Sequence, residues 1–388
     1  MAALSYSIVK RSVGMIKLKS LRFLGLGIIG IGVLIGFTQG AAADVVSIEN
    51  ITKGITYATI QQAVDAASAG DTIQISGDVT HPVTENVTIN VSNLTIQASP
   101  GTQPLITASD SSTDVFCISA ASVTISGLTV SGATNAAAGI KVNSVNNCQI
   151  LNNTVTNNSK GIYLYSTSGT TVSGNNVSNN TDEGIFLDDS NNATITGNNI
   201  SGSNYGIYLG SSDYNTLLKN NISNNSHGIY FSSSDNNRVL GNTISNNEST
   251  FPSGIHNDSN SDNNFGYYNN ISGNLTYGVW SEATFDAKHN WWGAKDGPGE
   301  NGPGSGDKVS TNVSYDPWLG ASVTDLHYES NVNVINNTNT IIDATNEADT
   351  ILSISGSTTI DVYVAKLSGN PKTAFSGFMN KFIDVHLS

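Results

Sequence analysis

The chain is short of cysteine, methionine and charge. Its 388 residues include two cysteines and three methionines, and only 12% of them are charged. Two cysteines are too few for a disulfide framework to define the fold. Basic residues number 16 against 30 acidic ones, which gives a net charge of -14. So acidic a chain argues against nucleic acid and against an anionic membrane surface as partners.

Long apolar runs are also scarce, and the one near the N terminus predicts export. A secretory signal has a basic start, an apolar run and a small-residue cleavage site, and these lie at Lys17, Lys19 and Arg22, from Phe23 to Phe37, and at Ala41, Ala42 and Ala43. The run is short and glycine-rich for a membrane span. We therefore predict a signal peptide over residues 1–43, with Met15 as an alternative start, and a secreted or cell-surface protein that has no membrane span after cleavage.

What the chain has in abundance is a repeat. Lines of 22 to 26 residues begin with Gly-Ile or Gly-Val at Gly139, Gly161, Gly184, Gly206, Gly228, Gly254 and Gly278. Short alternating segments at such a period, without a helical pattern, are typical of a β-solenoid. One coil cannot bury its apolar face alone, so the coils must stack around a shared core.

Side chains alternate between the two faces of a strand, so counting from each glycine separates the core from the surface. Aliphatic residues one and three places on, such as Ile207 and Leu209, face inward. Largely aromatic residues two places on face outward: Tyr163, Phe186, Tyr208, Tyr230, His256 and Trp280. A second outward column, four places on, holds Tyr165, Asp188, Asp258 and Glu282. By the same count Cys117 and Cys148 fall in different inward columns, which predicts two buried thiols.

An asparagine recurs two residues before a further inward aliphatic column. The set is Asn153, Asn175, Asn198, Asn220, Asn242 and Asn269, and Asn290 continues its register. Stacked amides at coil spacing can bond to the coils above and below. The alternative is that these residues cap exposed turns. We predict a structural asparagine ladder.

The remaining segments predict end caps and a second domain. Tyr57 to Ala67 is amphipathic and predicts a capping helix within residues 44–70. The β-helix follows over 71–293 and a Gly/Pro-rich cap over 294–319. Residues 320–388 lose the repeat and predict a small, possibly incomplete β-sandwich, with strands at Val332–Ile335, Thr350–Ile354, Thr358–Val364 and Phe382–Val385.

Two stretches of sequence resemble a known family. The opening Tyr57-Ala-Thr-Ile-Gln-Gln-Ala-Val-Asp-Ala-Ala…Gly70-Asp71-Thr72-Ile73 and the Asn-Asn-x-Ile…Gly-Ile-Tyr-Leu repeats are similar to the NosD-like parallel β-helix family, and more closely to archaeal cell-surface proteins with this repeat. The resemblance implies an all-β, right-handed, pectin-lyase-like solenoid, a fold that hosts both enzymes and inert surface proteins. The family name implies copper, but the scattered His and Met predict no copper site and no required cofactor.

Three hypotheses for function remain open. In the first, the outward residues Tyr163, Phe186, Tyr208, Tyr230 and Trp280, with Tyr165 and Asp188 alongside, form a ribbon that binds carbohydrate or envelope partners. In the second, the chain is a polysaccharide-active enzyme. Asp258 and Glu282 on neighbouring coils are spaced like a retaining glycosidase pair, and His256 lies close by.

The third hypothesis is a purely structural or adhesion protein. Asp213, Asp235 and Asp262 recur after the first strand of a coil and predict Asx-turns, with weak calcium binding as an alternative. Many Asn-x-Ser/Thr sequons are further candidates for glycans on exposed loops. They include Asn86, Asn93, Asn157, Asn176, Asn199, Asn221, Asn247, Asn270, Asn274 and Asn312.

Overall fold

The computed structural model describes residues 46–250, 253–323, 350–354 and 360–364. Over these residues the chain is almost entirely β-structure, with a single six-residue helix. The predicted signal peptide and the predicted tail strands at Val332–Ile335 and Phe382–Val385 lie outside the described residues. The described part contains no helix with the length and apolarity needed to cross a bilayer.

Each full coil contributes one strand to each of three sheets. Sheet A has the spatial order β2 (Ile55–Tyr57), β1 (Ser47–Asn50), β3 (Thr72–Ser76), β6 (Thr95–Ala98), β9 (Thr124–Ser126), β12 (Gln149–Leu151), β15 (Thr171–Ser173), β18 (Thr194–Thr196), β21 (Thr216–Leu218), β24 (Arg238–Leu240), β27 (Phe265–Tyr267), β30 (Phe285–Asp286) and β33 (Val313–Ser314). Only β1 pairs antiparallel, with β2 and β3.

Sheets B and C are parallel throughout. Sheet B contains β4 (Val83–Thr84), β7 (Leu105–Thr107), β10 (Thr129–Ser131), β13 (Thr154–Thr156), β16 (Asn176–Ser178), β19 (Asn199–Ser201), β22 (Asn221–Ser223), β25 (Thr243–Ser245) and β28 (Asn270–Ser272). Sheet C contains β5 (Val87–Ile89), β8 (Phe116–Ile118), β11 (Ala138–Asn143), β14 (Lys160–Tyr165), β17 (Glu183–Asp188), β20 (Tyr205–Gly210), β23 (His227–Ser232), β26 (Ile255–Asn257), β29 (Val279–Ser281), β32 (Gly306–Val309) and β31 (Pro298–Glu300).

The alternation predicted from the repeat sets the core. Ile185 pairs with Ile207, and Leu187 with Leu209, in register between β17 and β20. All four side chains are fully buried, and the same columns continue through the neighbouring coils. The prediction of a parallel β-helix is therefore confirmed.

The predicted asparagines form a continuous buried ladder. Asn175 donates through Nδ2 to Oδ1 of Asn198 at 2.9 Å and to the carbonyl of Ile150 at 2.8 Å. Its main-chain N–H also donates to Asn198 Oδ1, at 2.9 Å. The ladder thus links each coil to both neighbours and satisfies amides that would otherwise be costly to bury. Asn153, Asn198, Asn220, Asn242 and Asn269 repeat the coil-to-coil bonds, and Asn290 accepts the last of them.

A second ladder runs through the corner between sheets B and C and was not predicted. Asn158 donates to Asn180, Asn225 to Asn247, and Asn247 to Asn274. Its last amide donates to Asp307, whose carboxylate also accepts the main-chain N–H groups of Gly273 and Asn274. Burial raises the pKa of Asp307. This carboxylate ends the ladder where the coils stop.

The N-terminal helix is shorter than the predicted Tyr57–Ala67. Helix α1 spans Ile60–Asp65, because Tyr57 belongs to β2 and the Thr59 side chain caps the helix by accepting the N–H of Gln62. Ile60, Ala63 and Val64 are buried against the first coil. Below them, hydrogen bonds from Ser68 and Asn50 and the ammonium of Lys53 lower the pKa of Asp71 to about 2.

The C-terminal end of the solenoid is covered by residues 290–319. Trp292 and Leu319 are fully buried, and the Gly/Pro-rich stretch supplies β31, β32 and β33. Further along the chain, β34 (Thr350–Ile354) and β35 (Ile360–Val364) pair antiparallel, at two of the positions where tail strands were predicted.

Two predictions about individual side chains were wrong. Cys117 is half-buried on the outside of sheet C, because Phe116 and Ile118 take the inward positions of β8; Cys148 is buried. The aspartates predicted to make Asx-turns bond between coils instead. Asp213 accepts the N–H of Asp235 at 2.7 Å, and Asp235 accepts that of Asp262 at 2.6 Å.

Candidate functional site

The outward face of sheet C carries a row of stacked rings that we call the aromatic strip: Tyr163, Phe186, Tyr208, Tyr230 and His256. In-register pairing from β14 to β26 places one ring on each coil. Successive ring centroids lie 4.9, 5.1, 5.1 and 4.5 Å apart, with interplanar angles of 7°, 12°, 11° and 24°.

The rings of the strip present their edges to solvent. Near-parallel rings at these separations must overlap face to face, because coplanar rings this close would collide. The faces are therefore occupied by neighbouring rings, which is why every member is half-buried. Ring edges carry partial positive charge, so the exposed surface attracts oxygen atoms. The rings of the strip thus offer edges, and not open faces, to a ligand.

A further outward column, formed by the residue before each glycine, widens the strip. Tyr205 stacks on His227 at 4.8 Å and on Tyr208 at 5.3 Å, and lies 5.7 Å from Tyr230. Burial raises the pKa of Tyr205 and Tyr230. Their hydroxyls therefore stay protonated at neutral pH and can both donate and accept. Tyr205 and His227 were not among the residues predicted from the sequence, although they lie one place before Gly206 and Gly228.

The outward column four places after each glycine contains the polar residues predicted to lie alongside the rings. Tyr165 pairs with Asp188, and Gly210 follows on the next coil. Tyr163 donates its hydroxyl to Asp188 at 2.8 Å, and burial together with this bond raises the pKa of Tyr163. Tyr165 is 39% exposed and tilted by 55° from Tyr163. Its ring is thus the most accessible of those predicted to bind carbohydrate.

Two lysines lie at the N-terminal end of the strip. The Nζ of Lys141 is 5.0 Å from the ring centroid of Tyr163 and 5.4 Å from that of Tyr165. Lys160 lies 6.0 Å from the Phe186 centroid and pairs with Glu183 at 3.3 Å. Burial raises the pKa of Glu183 while Lys160 opposes the rise. The strip therefore begins with two cations close to its rings.

The candidate catalytic residues lie at the other end. His256 Nε2 is 3.6 Å from Glu282 Oε1, and burial lowers the pKa of His256 against the opposing effect of Glu282. Asp258 accepts hydrogen bonds from the N–H groups of Ser233 and Asn260 and from the Ser261 hydroxyl. The structure thus brings His256 and Glu282 together and engages Asp258 in the turn after β26. Trp280 follows His256 in register, edge-on to Tyr277 at 4.8 Å and 71°.

A separate surface cavity of about 330 Å³ lies at the last coils, between β28 and the C-terminal cap. Leu275, Trp292, Asp307 and Lys308 are among its lining residues. The Asp307 carboxylate in this cavity accepts a hydrogen bond from Asn274, the last amide of the second ladder. The cavity therefore belongs to the C-terminal end of the solenoid and is separate from the strip.

These features define a parallel β-helix protein with an aromatic outer face, and comparison with known proteins places it in a family. A profile described as "Periplasmic copper-binding protein (NosD)" matches residues 64–284, more than half of the chain. The chain belongs to the NosD family. A search of curated protein sequences finds no match.

Several solved structures match this chain at low identity. The tailspike protein 2 enzymatically active domain of bacteriophage CBA120 matches with a TM-score of 0.48 and 14% identity, over 76% of this chain and 53% of that one. The AlgE6 A-module, a mannuronan C-5 epimerase of Azotobacter vinelandii, matches with a TM-score of 0.42 and 16% identity, over 66% of this chain and 94% of that one. Geobacillus virus E2 ORF18 matches with a TM-score of 0.43 and 15% identity, over 67% of this chain and 56% of that one. These likenesses concern the fold alone.

Proposed function

We propose that this protein acts outside the cytoplasm and binds an extended polysaccharide along the aromatic strip. The observation that carries the proposal is the regular presentation of one ring edge per coil from Tyr163 to His256, with hydroxyls on Tyr163, Tyr208 and Tyr230. A polymer of sugar units offers oxygen atoms at regular intervals, and a surface with repeating donors suits it.

The chemistry of the strip favours hydrogen bonding over ring stacking. Phe186, Tyr208 and Tyr230 have their faces covered by neighbours, so sugar rings meet edges and hydroxyls. Tyr165 is the exception, since its exposed ring can contact a sugar face. We propose that Asp188 beside it accepts hydrogen bonds from sugar hydroxyls.

Binding measurements on variants test this proposal. We expect the double substitution Tyr208→Ala and Tyr230→Ala to weaken binding about tenfold or more, since each lost hydrogen bond contributes about 0.5–1.5 kcal/mol. Tyr208→Phe with Tyr230→Phe keeps the stack and removes only the hydroxyls, and we expect a similar loss. Polysaccharide pull-down and titration of soluble oligosaccharides provide the readout.

Tyr214 supplies the matched control, because it is 58% exposed but is not a member of the strip. Tyr214→Ala should bind as the unmodified protein does. If the double alanine variant binds every polysaccharide as tightly as the unmodified chain, the strip is not the binding surface. If the unmodified chain binds none, the purely structural hypothesis is favoured.

A catalytic role at the same strip is a second candidate, favoured by the contact between His256 and Glu282. A histidine with a lowered pKa beside a carboxylate is a usual arrangement for proton transfer. Assays for new reducing ends and for unsaturated products test this role. Turnover that survives Glu282→Gln and Asp258→Asn would exclude the predicted pair.

Copper binding, which the family description names, does not fit the residues that the structure describes. Among the described residues, no three or more His, Cys, Asp or Glu side chains come together in a group able to hold a metal ion. Burial raises the pKa of both Cys117 and Cys148, whereas the thiolate is the form that ligates metals. We therefore derive no step through copper.

A further inference from the structure

The sequons of this chain divide into buried and exposed sets. Asn247 and Asn274 belong to the second ladder and are at most 8% exposed. Asn247 donates through Nδ2 to Asn274 and to the carbonyl of Ile222. A sugar on that nitrogen would remove one of its two hydrogens and would have to fit inside the core. These asparagines cannot carry glycans in the folded protein. Asn270, 8% exposed, is likewise enclosed at β28.

Some of the exposed sequons have their amides engaged. Asn86 donates to three main-chain carbonyls, those of Asp110, Thr113 and Asp114. Asn312 donates to the carbonyls of Ser281 and Glu282. On the flat outer face of sheet B, Asn199 donates to Asn176 and Asn221 donates to Asn199. Each of these amides is held against the surface.

Further exposed sequons lie at the corner between sheets B and C. Asn157 and Asn179 lie on neighbouring coils, are exposed, and have left-handed backbone conformations with φ of 57° and 54°. Each begins a sequon whose middle residue is a ladder asparagine, in Asn157-Asn158-Ser159 and Asn179-Asn180-Thr181. Within the described residues, the Nδ2 groups of Asn157 and Asn179 make no hydrogen bond. The Oδ1 of Asn179 lies close to Gly202 on the next coil. Both side chains are nevertheless exposed, and with Nδ2 not engaged a substituent on that nitrogen can extend into solvent.

We infer that Asn157 and Asn179 are sites of N-linked glycosylation, and that the ladder sequons are not. In this reaction the Nδ2 nitrogen attacks the anomeric carbon of an oligosaccharide held as a lipid phosphate ester. A C–N bond forms, the C–O bond to the phosphate breaks, the lipid phosphate leaves, and Nδ2 loses one proton. The inference rests on the proposed location outside the cytoplasm, where such modification takes place. It leaves the aromatic strip bare, because no sequon asparagine lies on the outward face of β11 to β29 in sheet C.

Glycopeptide mass spectrometry of the full chain, isolated from the fractionated cells that make it, tests the inference. The expected result is a sugar mass on Asn157 and Asn179 and none on Asn247 or Asn274. The double variant Asn157→Gln and Asn179→Gln should lose the mass of two glycans. Ser249→Ala removes the sequon of Asn247 but keeps the ladder amide, and should leave the total glycan mass unchanged.

The possible failures are distinguishable. Bare Asn157 and Asn179 in protein recovered from outside the cytoplasmic membrane would overturn the glycosylation inference and leave the proposed function intact. A glycan on Asn247 or Asn274 would overturn the burial argument. Protein confined to the cytoplasm would overturn both the inference and the proposed location.

Discussion

At the scale of single residues, buried amides hold neighbouring coils together through hydrogen bonds. Asn220 shows how completely one side chain is used. Its Nδ2 donates to Asn242 and to the carbonyl of Ile195, and its Oδ1 accepts from the N–H and the amide of Asn198. These uncharged amides fix each coil in register with the next.

Replacing Asn220 with alanine should therefore destabilise the fold strongly. The change leaves several buried groups on Asn198, Ile195 and Asn242 without partners, and each unsatisfied group costs about 1–3 kcal/mol. We expect the free energy of unfolding to fall by about 3 kcal/mol or more, measured by urea denaturation.

The next residue in the chain is the control for that variant. Asn221 is exposed, and its side chain donates to Asn199 on the outer face of sheet B. Asn221→Ala should change stability by less than about 1 kcal/mol. Equal effects of the two substitutions would show that the buried ladder does not stabilise the protein.

At the scale of the repeating element, the glycine that opens each line permits close approach between coils. A Cβ on Gly206 would lie 2.6 Å from the carbonyl oxygen of Gly228 and 2.7 Å from Ile222 Cγ2. The carbonyl belongs to the next strand and cannot move without breaking the sheet. The recurring Gly-Ile and Gly-Val pairs therefore have a steric cause.

Gly206→Ala should destabilise the protein by about 1–3 kcal/mol, the usual cost of overpacking. Gly210→Ala is a suitable control on the same strand, since its Cβ would meet Phe186 Cε2 at 3.7 Å and the Leu187 carbonyl oxygen at 3.9 Å, both ordinary contact distances. Thermal unfolding of both variants gives the comparison. A Gly206→Ala variant as stable as Gly210→Ala would contradict the close-approach argument.

The repeat made the element scale the most predictable from sequence. The inward columns at Ile207 and Leu209 and the ladder asparagines follow from counting along a strand, because alternation fixes the face of each side chain. Cys117 was wrongly predicted to be buried because the early coils lack the Gly-Ile pair. Without that pair there is no fixed position from which inward and outward residues can be counted. The direction of the ring planes was also not predictable, since alternation says which side a ring occupies but not which way it turns.

At the scale of the whole molecule, the stability of each coil should depend mainly on the coils next to it. Neighbouring coils share most of their contacts, and solenoids of this kind lose structure from weakened ends. Trp292 is fully buried where the last coil meets the C-terminal cap. Trp292→Ala should cost about 3–5 kcal/mol locally and should expose β28 and β29 to hydrogen exchange while β8 and β11 stay protected. Uniform loss of protection along the solenoid would contradict this account.

The location of a bound ligand is the most direct test of the functional account. A crystal structure of the protein with an oligosaccharide taken from whichever polymer it retains should show sugar density crossing successive coils of sheet C, within hydrogen-bond distance of the Tyr208 and Tyr230 hydroxyls. Sugar bound instead on the outer face of sheet B, or in the cavity beside Leu275 and Asp307, would contradict the proposal that the aromatic strip is the binding surface.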